Sequence, residues 1–118
     1  MAAQRWQVRL SAQAERDFAS ILQWTAENFG TRQARTYQTT IVQSIGELAL
    51  GPDIPGARKR DDIANGVRAL QVARHGRRGR HLLLYRVTGT PMIEIGRLLH
   101  DSMELRRHAL DASDEDNT

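Results

Sequence analysis

The side chains best suited to chemistry in this chain are cationic or carry imidazole. Lysine and arginine together number 17, Lys59 being the one lysine, and the histidines are His75, His81, His100 and His108. Arginine's planar fork grips phosphate and carboxylate equally well, so these residues select an anionic partner without saying which kind. His75 and His81 flank Gly76-Arg77-Arg78-Gly79 and could face each other across a hairpin, but no third metal ligand stands near them in the sequence. Surface or packing roles are therefore expected for both. His100 comes after an apolar stretch, where a hydrogen bond that fixes the turn of the chain is the plainer role. The glycines around Arg77 and Arg78 do not form a phosphate loop, because no helix comes after them. Cysteine is absent, which excludes disulfides, thiol catalysis and cysteine zinc sites. No metal or cofactor is expected.

Aromatic residues make up only 5% of the chain, a poor supply for a base-stacking platform. Trp6 and Tyr85 are accordingly expected in the core. Trp24 falls off the apolar stripe of its helix and is expected to stand exposed, as a partner contact would.

The anionic charge is uneven. Asp111, Asp114, Glu115 and Asp116 crowd the last eight positions, and without them the body holds 17 positive against 10 negative charges. Such a body attracts nucleic acid or an acidic protein segment. The 118 residues suffice for one domain, expected over 1–110, with 111–118 as a disordered acidic tail. A hydrophobic fraction of 40% and a charged fraction of 26% suit a folded globular protein. No signal-peptide pattern opens the chain and no run approaches a membrane span, so a cytoplasmic protein without membrane contact is expected.

Periodicity gives the elements that must position these residues. Trp6, Val8 and Leu10 alternate as one face of a half-buried strand. Ser11 can cap a helix whose stripe is Ala14, Phe18, Ile21 and Thr25, stopped at Phe29-Gly30. Thr31 can cap a second helix with Ala34, Tyr37, Ile41, Ile45 and Leu48 inward, ended by Gly51-Pro52. So short a link makes the two helices an antiparallel hairpin. Residues 51–65 read as a loop. Three strands come next, over Val67–Arg74, Arg80–Val87 and Met92–Leu99, joined by turns at 76–79 and 88–91. A short helical segment over Ser102–Leu110 comes last. The class is α+β in the order β-α-α-β-β-β, with the hairpin on one face of a mostly antiparallel four-stranded sheet.

This order resembles the ParE/RelE toxin superfamily. The resemblance spans Trp6 to His108. It rests on the strand leading into Leu10-Ser11-Ala12-Gln13-Ala14-Glu15-Arg16-Asp17-Phe18 and on Asn28-Phe29-Gly30 with Gln33-Ala34 and Tyr37. It rests further on Leu48-Ala49-Leu50-Gly51-Pro52, Gly66-Val67-Arg68, Leu83-Leu84-Tyr85-Arg86-Val87 and Ile93-Glu94-Ile95-Gly96-Arg97-Leu98-Leu99-His100. One branch of the superfamily is ribonuclease-like and cuts messenger RNA on the ribosome; the ParE branch poisons DNA gyrase. Leu98-Leu99-His100 with Met103-Glu104 resembles the ParE branch, although Glu104 stands where aspartate is common.

Cutting RNA requires a base, cations around the phosphate and an acid for the leaving oxygen. Aligned on Tyr85, the ribonuclease branch's strand arginine is replaced by Leu82, and no lysine comes after Gly66. Arg68, Arg74, Arg86 and Arg97 remain as phosphate holders and His108 as an acid, a thinned set. The resemblance therefore implies a toxin that inhibits gyrase by binding, with ribosome-dependent RNA cleavage or an inactive antitoxin-binding module as alternatives. Arg77, Arg78, Arg97, His100, Met103, Arg106 and Arg107 are the expected target-facing residues. The family also implies an antitoxin with an acidic amphipathic segment, expected to meet Arg16, Trp24, Arg32 and Arg35 on the hairpin.

Overall fold

The computed structural model describes residues 5–74 and 77–100. The chain runs β1 (Gln7–Leu10), α1 (Ala12–Phe29), α2 (Thr31–Glu47), β2 (Arg58–Lys59), β3 (Arg68–Arg74), β4 (Arg77–Gly89) and β5 (Met92–His100). A single 3-10 turn, Leu48–Leu50, closes α2. The sheet order is β1-β5-β4-β3-β2, with β1 parallel to β5 and every other pair antiparallel.

Local chemistry accounts for the helix ends. The Ser11 hydroxyl accepts from the Ala14 N–H at 3.0 Å, satisfying one of the donors that a helix start leaves open. Gly30, at φ 95°, ends α1 by donating its N–H to the Ala26 carbonyl, and the same residue opens α2. That backbone angle excludes most side chains, which is why one glycine suffices to reverse the chain. Thr31 is the first residue of α2 rather than its cap, and no side chain caps that end.

The hairpin lies on one sheet face and buries Ala14, Ile41, Leu48, Leu70, Val72, Leu83, Tyr85, Ile93, Ile95 and Leu98 as one cluster. Trp6 packs against this cluster and Tyr85 sits within it, as expected of core aromatics. The opposite face is not fully open. Ile63, from the loop between β2 and β3, covers Val67, Ala69, Leu84 and Leu99 in a second small cluster. The triple Leu82-Leu83-Leu84 thus supplies both faces, which explains its apolarity at both parities.

Five strands replace the four expected. The extra one, Arg58–Lys59, pairs with Ala69 and Arg68 at the sheet edge. Two exposed basic residues show no alternation, so periodicity could not find it; charge on a short edge strand is a common guard against further pairing. β4 also begins at Arg77, within the stretch expected as a turn at 76–79 and ahead of the expected start at Arg80. The expected segment 102–110, the tail 111–118, His75 and the side chains of Arg74, Arg77 and Arg78 lie outside the described residues.

Candidate functional site

Three constellations of polar side chains stand out, each built by a different pair of elements. The first is a lock between α1 and β5. The register of β4 against β5 shifts between Leu84, opposite Arg97, and Tyr85, opposite Ile95, which leaves Gly96 as an extra residue. A bulge of this kind disrupts the ladder, and its backbone groups need other partners. Helix α1 supplies them. The Ser11 hydroxyl donates to the Gly96 carbonyl at 2.9 Å, and an Asp17 carboxylate oxygen accepts the Leu98 N–H at 3.0 Å. The same carboxylate takes Arg97 Nε at 2.8 Å and Nη2 at 3.3 Å. Only 15% of the Arg97 side chain and 11% of the Asp17 side chain remain exposed. Arg97, expected to face a target, is thereby turned inward and engaged.

The second constellation lies at the β3 end of the sheet. Arg68 pairs with Asp53 at 3.1 Å. Beside it the Tyr85 hydroxyl donates to the Pro52 carbonyl at 2.7 Å. Burial pushes the Tyr85 phenol up to about 12; the nearby Arg68 opposes this shift and Asp53 adds to it. Tyr85 is therefore a fixed donor that anchors the loop after α2. It does not exchange its proton near neutral pH.

The third constellation is Tyr37, His81 and His100. His81 and His100 are direct partners across β4 and β5. Their ring centres are 5.3 Å apart, with planes at 86°. The Tyr37 hydroxyl, from α2, bonds His81 Nδ1 at 2.7 Å. The sequence shows each of these residues but not their meeting, because nothing local gives the strand register that puts His81 opposite His100.

The remaining expected residues are spread apart. Arg86 is exposed and opposite Glu94, which itself pairs with Arg9 at 3.1 Å. Alternation places Arg86 on the face away from Tyr85 and its partner Arg68. Arg68, Arg86 and Arg97 thus have three different surroundings and form no common phosphate cradle. His108, Met103, Arg106 and Arg107 lie outside the described residues.

The hairpin, by contrast, carries an outward surface. Trp24 is 56% exposed and Phe29 64%, and their rings meet edge to face at 5.6 Å. Val42 on α2 is exposed too. Arg16, Arg32 and Arg35 are exposed on the same two helices, Arg16 lightly held by Gln13 at 2.8 Å. Large apolar rings on a hairpin that also carries exposed cations suit an amphipathic acidic segment.

Comparison with known proteins agrees with this architecture. A family model described as the ParE toxin of the type II toxin–antitoxin system parDE matches residues 8–105. Toxin ParE1 of Mycobacterium tuberculosis, in each of two strains, is 33% identical over 99 residues, covering 84% of this chain and 93% of the relative. Among solved structures, one of the chromosomal ParDE toxin–antitoxin system of P. aeruginosa superposes with a TM-score of 0.67 at 21% identity, covering 82% of this chain and 97% of the other. One of the RelBE2 toxin–antitoxin complex of M. tuberculosis superposes with a TM-score of 0.51 at 21% identity, covering 81% and 91%. At those identities the two structures establish a shared fold.

Proposed function

Because this chain belongs to the ParE toxin family of type II toxin–antitoxin systems, we propose that it inhibits DNA gyrase by binding and is neutralised by a cognate antitoxin. The observation that carries the binding mode is the engagement of Arg97. A ribonuclease of this fold needs strand arginines aimed together at one phosphate. Here Arg97 is bonded to Asp17, Arg68 to Asp53, and Arg86 lies on the far face. Arg97 and Arg68, committed in this way, tie the sheet to α1 and to the loop after α2 and leave action by contact as the better-supported mode.

The target contact is assigned to the end of β5 and the residues beyond it: His100, Met103, Arg106 and Arg107, with Arg77 and Arg78 as further contacts. Arg97 serves by fixing the end of β5 to α1. The antitoxin contact is assigned to the hairpin. An acidic amphipathic segment would set its apolar side on Trp24 and Phe29 and its carboxylates on Arg16, Arg32 and Arg35. Gyrase works on the chromosome, so the site of action would be the cytoplasm, and a gene pair of this kind would stabilise a plasmid that carries it.

The test is a supercoiling assay with purified protein, gyrase, relaxed plasmid and ATP. Loss of supercoiling with accumulation of linear DNA supports the proposal. Unaffected gyrase, together with cleavage of messenger RNA on added ribosomes, would replace it with the ribonuclease reading. Unaffected gyrase without RNA cleavage would leave an antitoxin-binding module.

A further inference from the structure

We propose that the acidic carboxyl-terminal segment of the chain, Asp111 to Asp116, docks in cis on the tip of the helix hairpin beside Arg32 and Arg35. The place where the chain leaves the sheet carries this. The main core cluster takes residues of α1 as far as Ile21 and of α2 from Tyr37 onward, and none between them. The turns on either side of Gly30 therefore stand clear of that core. Helix α1 meets Gly96 through Ser11 and Leu98 through Asp17, so it advances in the direction of β5. From Leu98 to the end of β5 at His100 is about 7 Å, whereas from Asp17 to the end of α1 at Phe29 is about 18 Å. Helix α2 agrees: Tyr37 meets His81, the partner of His100, and the helix begins earlier, at Thr31. The hairpin tip thus overhangs the end of the sheet by roughly 10 Å, and the chain departs at His100 next to it.

Charge and reach select the occupant. Arg32 and Arg35 are exposed, and among the described residues no carboxylate pairs with either. Glu27, near the same tip, accepts from the Gln23 amide at 3.1 Å. Helix α2 opens there with no side-chain cap and no acid in its first turn, so carboxylates docked beside the two arginines also meet the positive end of that helix. The exposed rings of Trp24 and Phe29 lie on the same overhang, and Leu110 immediately precedes the acids. Asp111, Asp114, Glu115 and Asp116 supply the negative charge. Residues 101–110 join them to His100; wound as a helix these span about 15 Å and extended about 33 Å, and both reach the tip. A tether of this length gives an effective concentration in the millimolar range, which populates a contact that is weak in trans. Docked there, the tail covers the surface proposed as the antitoxin contact and competes with an acidic segment for it. That competition rests on the antitoxin reading; the docking itself does not.

The experiment uses the full chain alone, so its outcome is separate from that of any gyrase or antitoxin assay. The chain has no cysteine, and Thr118→Cys therefore offers a single site for a nitroxide spin label. Paramagnetic broadening of the backbone amides is followed by proton–nitrogen NMR at roughly 0.05 M and 0.5 M salt. A second labelled chain also carries Asp111→Asn, Asp114→Asn, Glu115→Gln and Asp116→Asn, a tether of the same length without the charge. At low salt the acidic tail should broaden the amides of Phe29 to Thr36 about threefold more than the neutral tail does, and high salt should abolish the difference. Arg32→Gln combined with Arg35→Gln should lower the broadening to that of the neutral tail; both side chains are exposed, so the fold is retained. Equal broadening by the two tails at low salt would overturn the proposal. So would broadening greatest at Arg58 and Lys59, the exposed basic pair on the β2 edge.

Discussion

Helix α1 has two ends that do opposite things. Its first turns face inward: Ser11 and Asp17 satisfy the bulge in β5, and Asp17 also neutralises Arg97. Its last turns bury Thr25 but also carry an outward face, where Trp24 and Phe29 lean on each other above the surface and contribute little to the core. Ser11 and Asp17 are largely buried at one end while Trp24 and Phe29 are exposed at the other, the reverse of what those residue types alone suggest. The inward end is explained by the fold, since Ser11, Asp17 and Arg97 satisfy one another and the bulge. The outward end is not explained by the fold, and that is the observation on which the proposed antitoxin contact rests. The same contrast disciplines the reading of charge. Arg97 lies on the strand where a target contact is expected from sequence, yet it is an internal tie, whereas Arg32 and Arg35 stand exposed on the hairpin.

The contrast can be broken most severely at Asp17. Replacing it with alanine removes the carboxylate that a nearly buried guanidinium bonds and leaves the Leu98 N–H without that acceptor. Stability should fall by about 3–5 kcal/mol in urea denaturation, the usual cost of removing one partner of a buried pair. A loss under about 1 kcal/mol would mean that the lock is ornamental. Trp24→Ala tests the other end. Folding stability should change little, within about 1 kcal/mol for so exposed a side chain, while antitoxin affinity drops by about 2–4 kcal/mol in calorimetry, as for an anchoring aromatic.

Alkaline titration probes the interior. An unfolded tyrosine titrates at 10.0, whereas Tyr85 in the folded chain is raised to about 12. Between these values the unfolded chain has lost its proton and the folded chain has kept it, so rising pH favours unfolding. The stabilisation is whole below about pH 10 and declines toward pH 12, by something on the order of 2–3 kcal/mol. Tyr85→Phe should lose that slope, and equal slopes in the two proteins would remove Tyr85 as its source. Smaller still is Ser11→Ala, expected to cost about 1–2 kcal/mol in the same denaturation experiment because the hydroxyl caps α1 and also bonds Gly96. The smallest effect belongs to Arg9→Ala. Its pair with Glu94 is exposed on the arginine side and should be worth less than about 0.5 kcal/mol.

How much of this could be read from sequence depends on the range of each interaction. The Ser11 cap, the stripe through Ala14, Phe18 and Ile21, and the reversal at Gly30 are local, and periodicity with turn chemistry locates them. The order β-α-α-β-β-β is legible for the same reason. The two-residue strand Arg58–Lys59 escapes because it exists only through its pairing with β3. The Asp17–Arg97 bond joins residues 80 apart across a bulge that no pattern announces. Tyr37, His81 and His100 come together only once the β4–β5 register is known. The exposure of Trp24, in contrast, is legible, since departure from a helical stripe is itself a local signal.

The most direct test couples the two proposed contacts in one assay. Gyrase is inhibited with wild-type protein or with Trp24→Ala, the cognate antitoxin is added in increasing amounts, and supercoiling is followed. Both proteins should inhibit equally, antitoxin should restore supercoiling against the wild type, and far more antitoxin should be needed against Trp24→Ala. Equal rescue of both proteins, or a gyrase indifferent to either, would contradict the assignment of separate target and antitoxin surfaces.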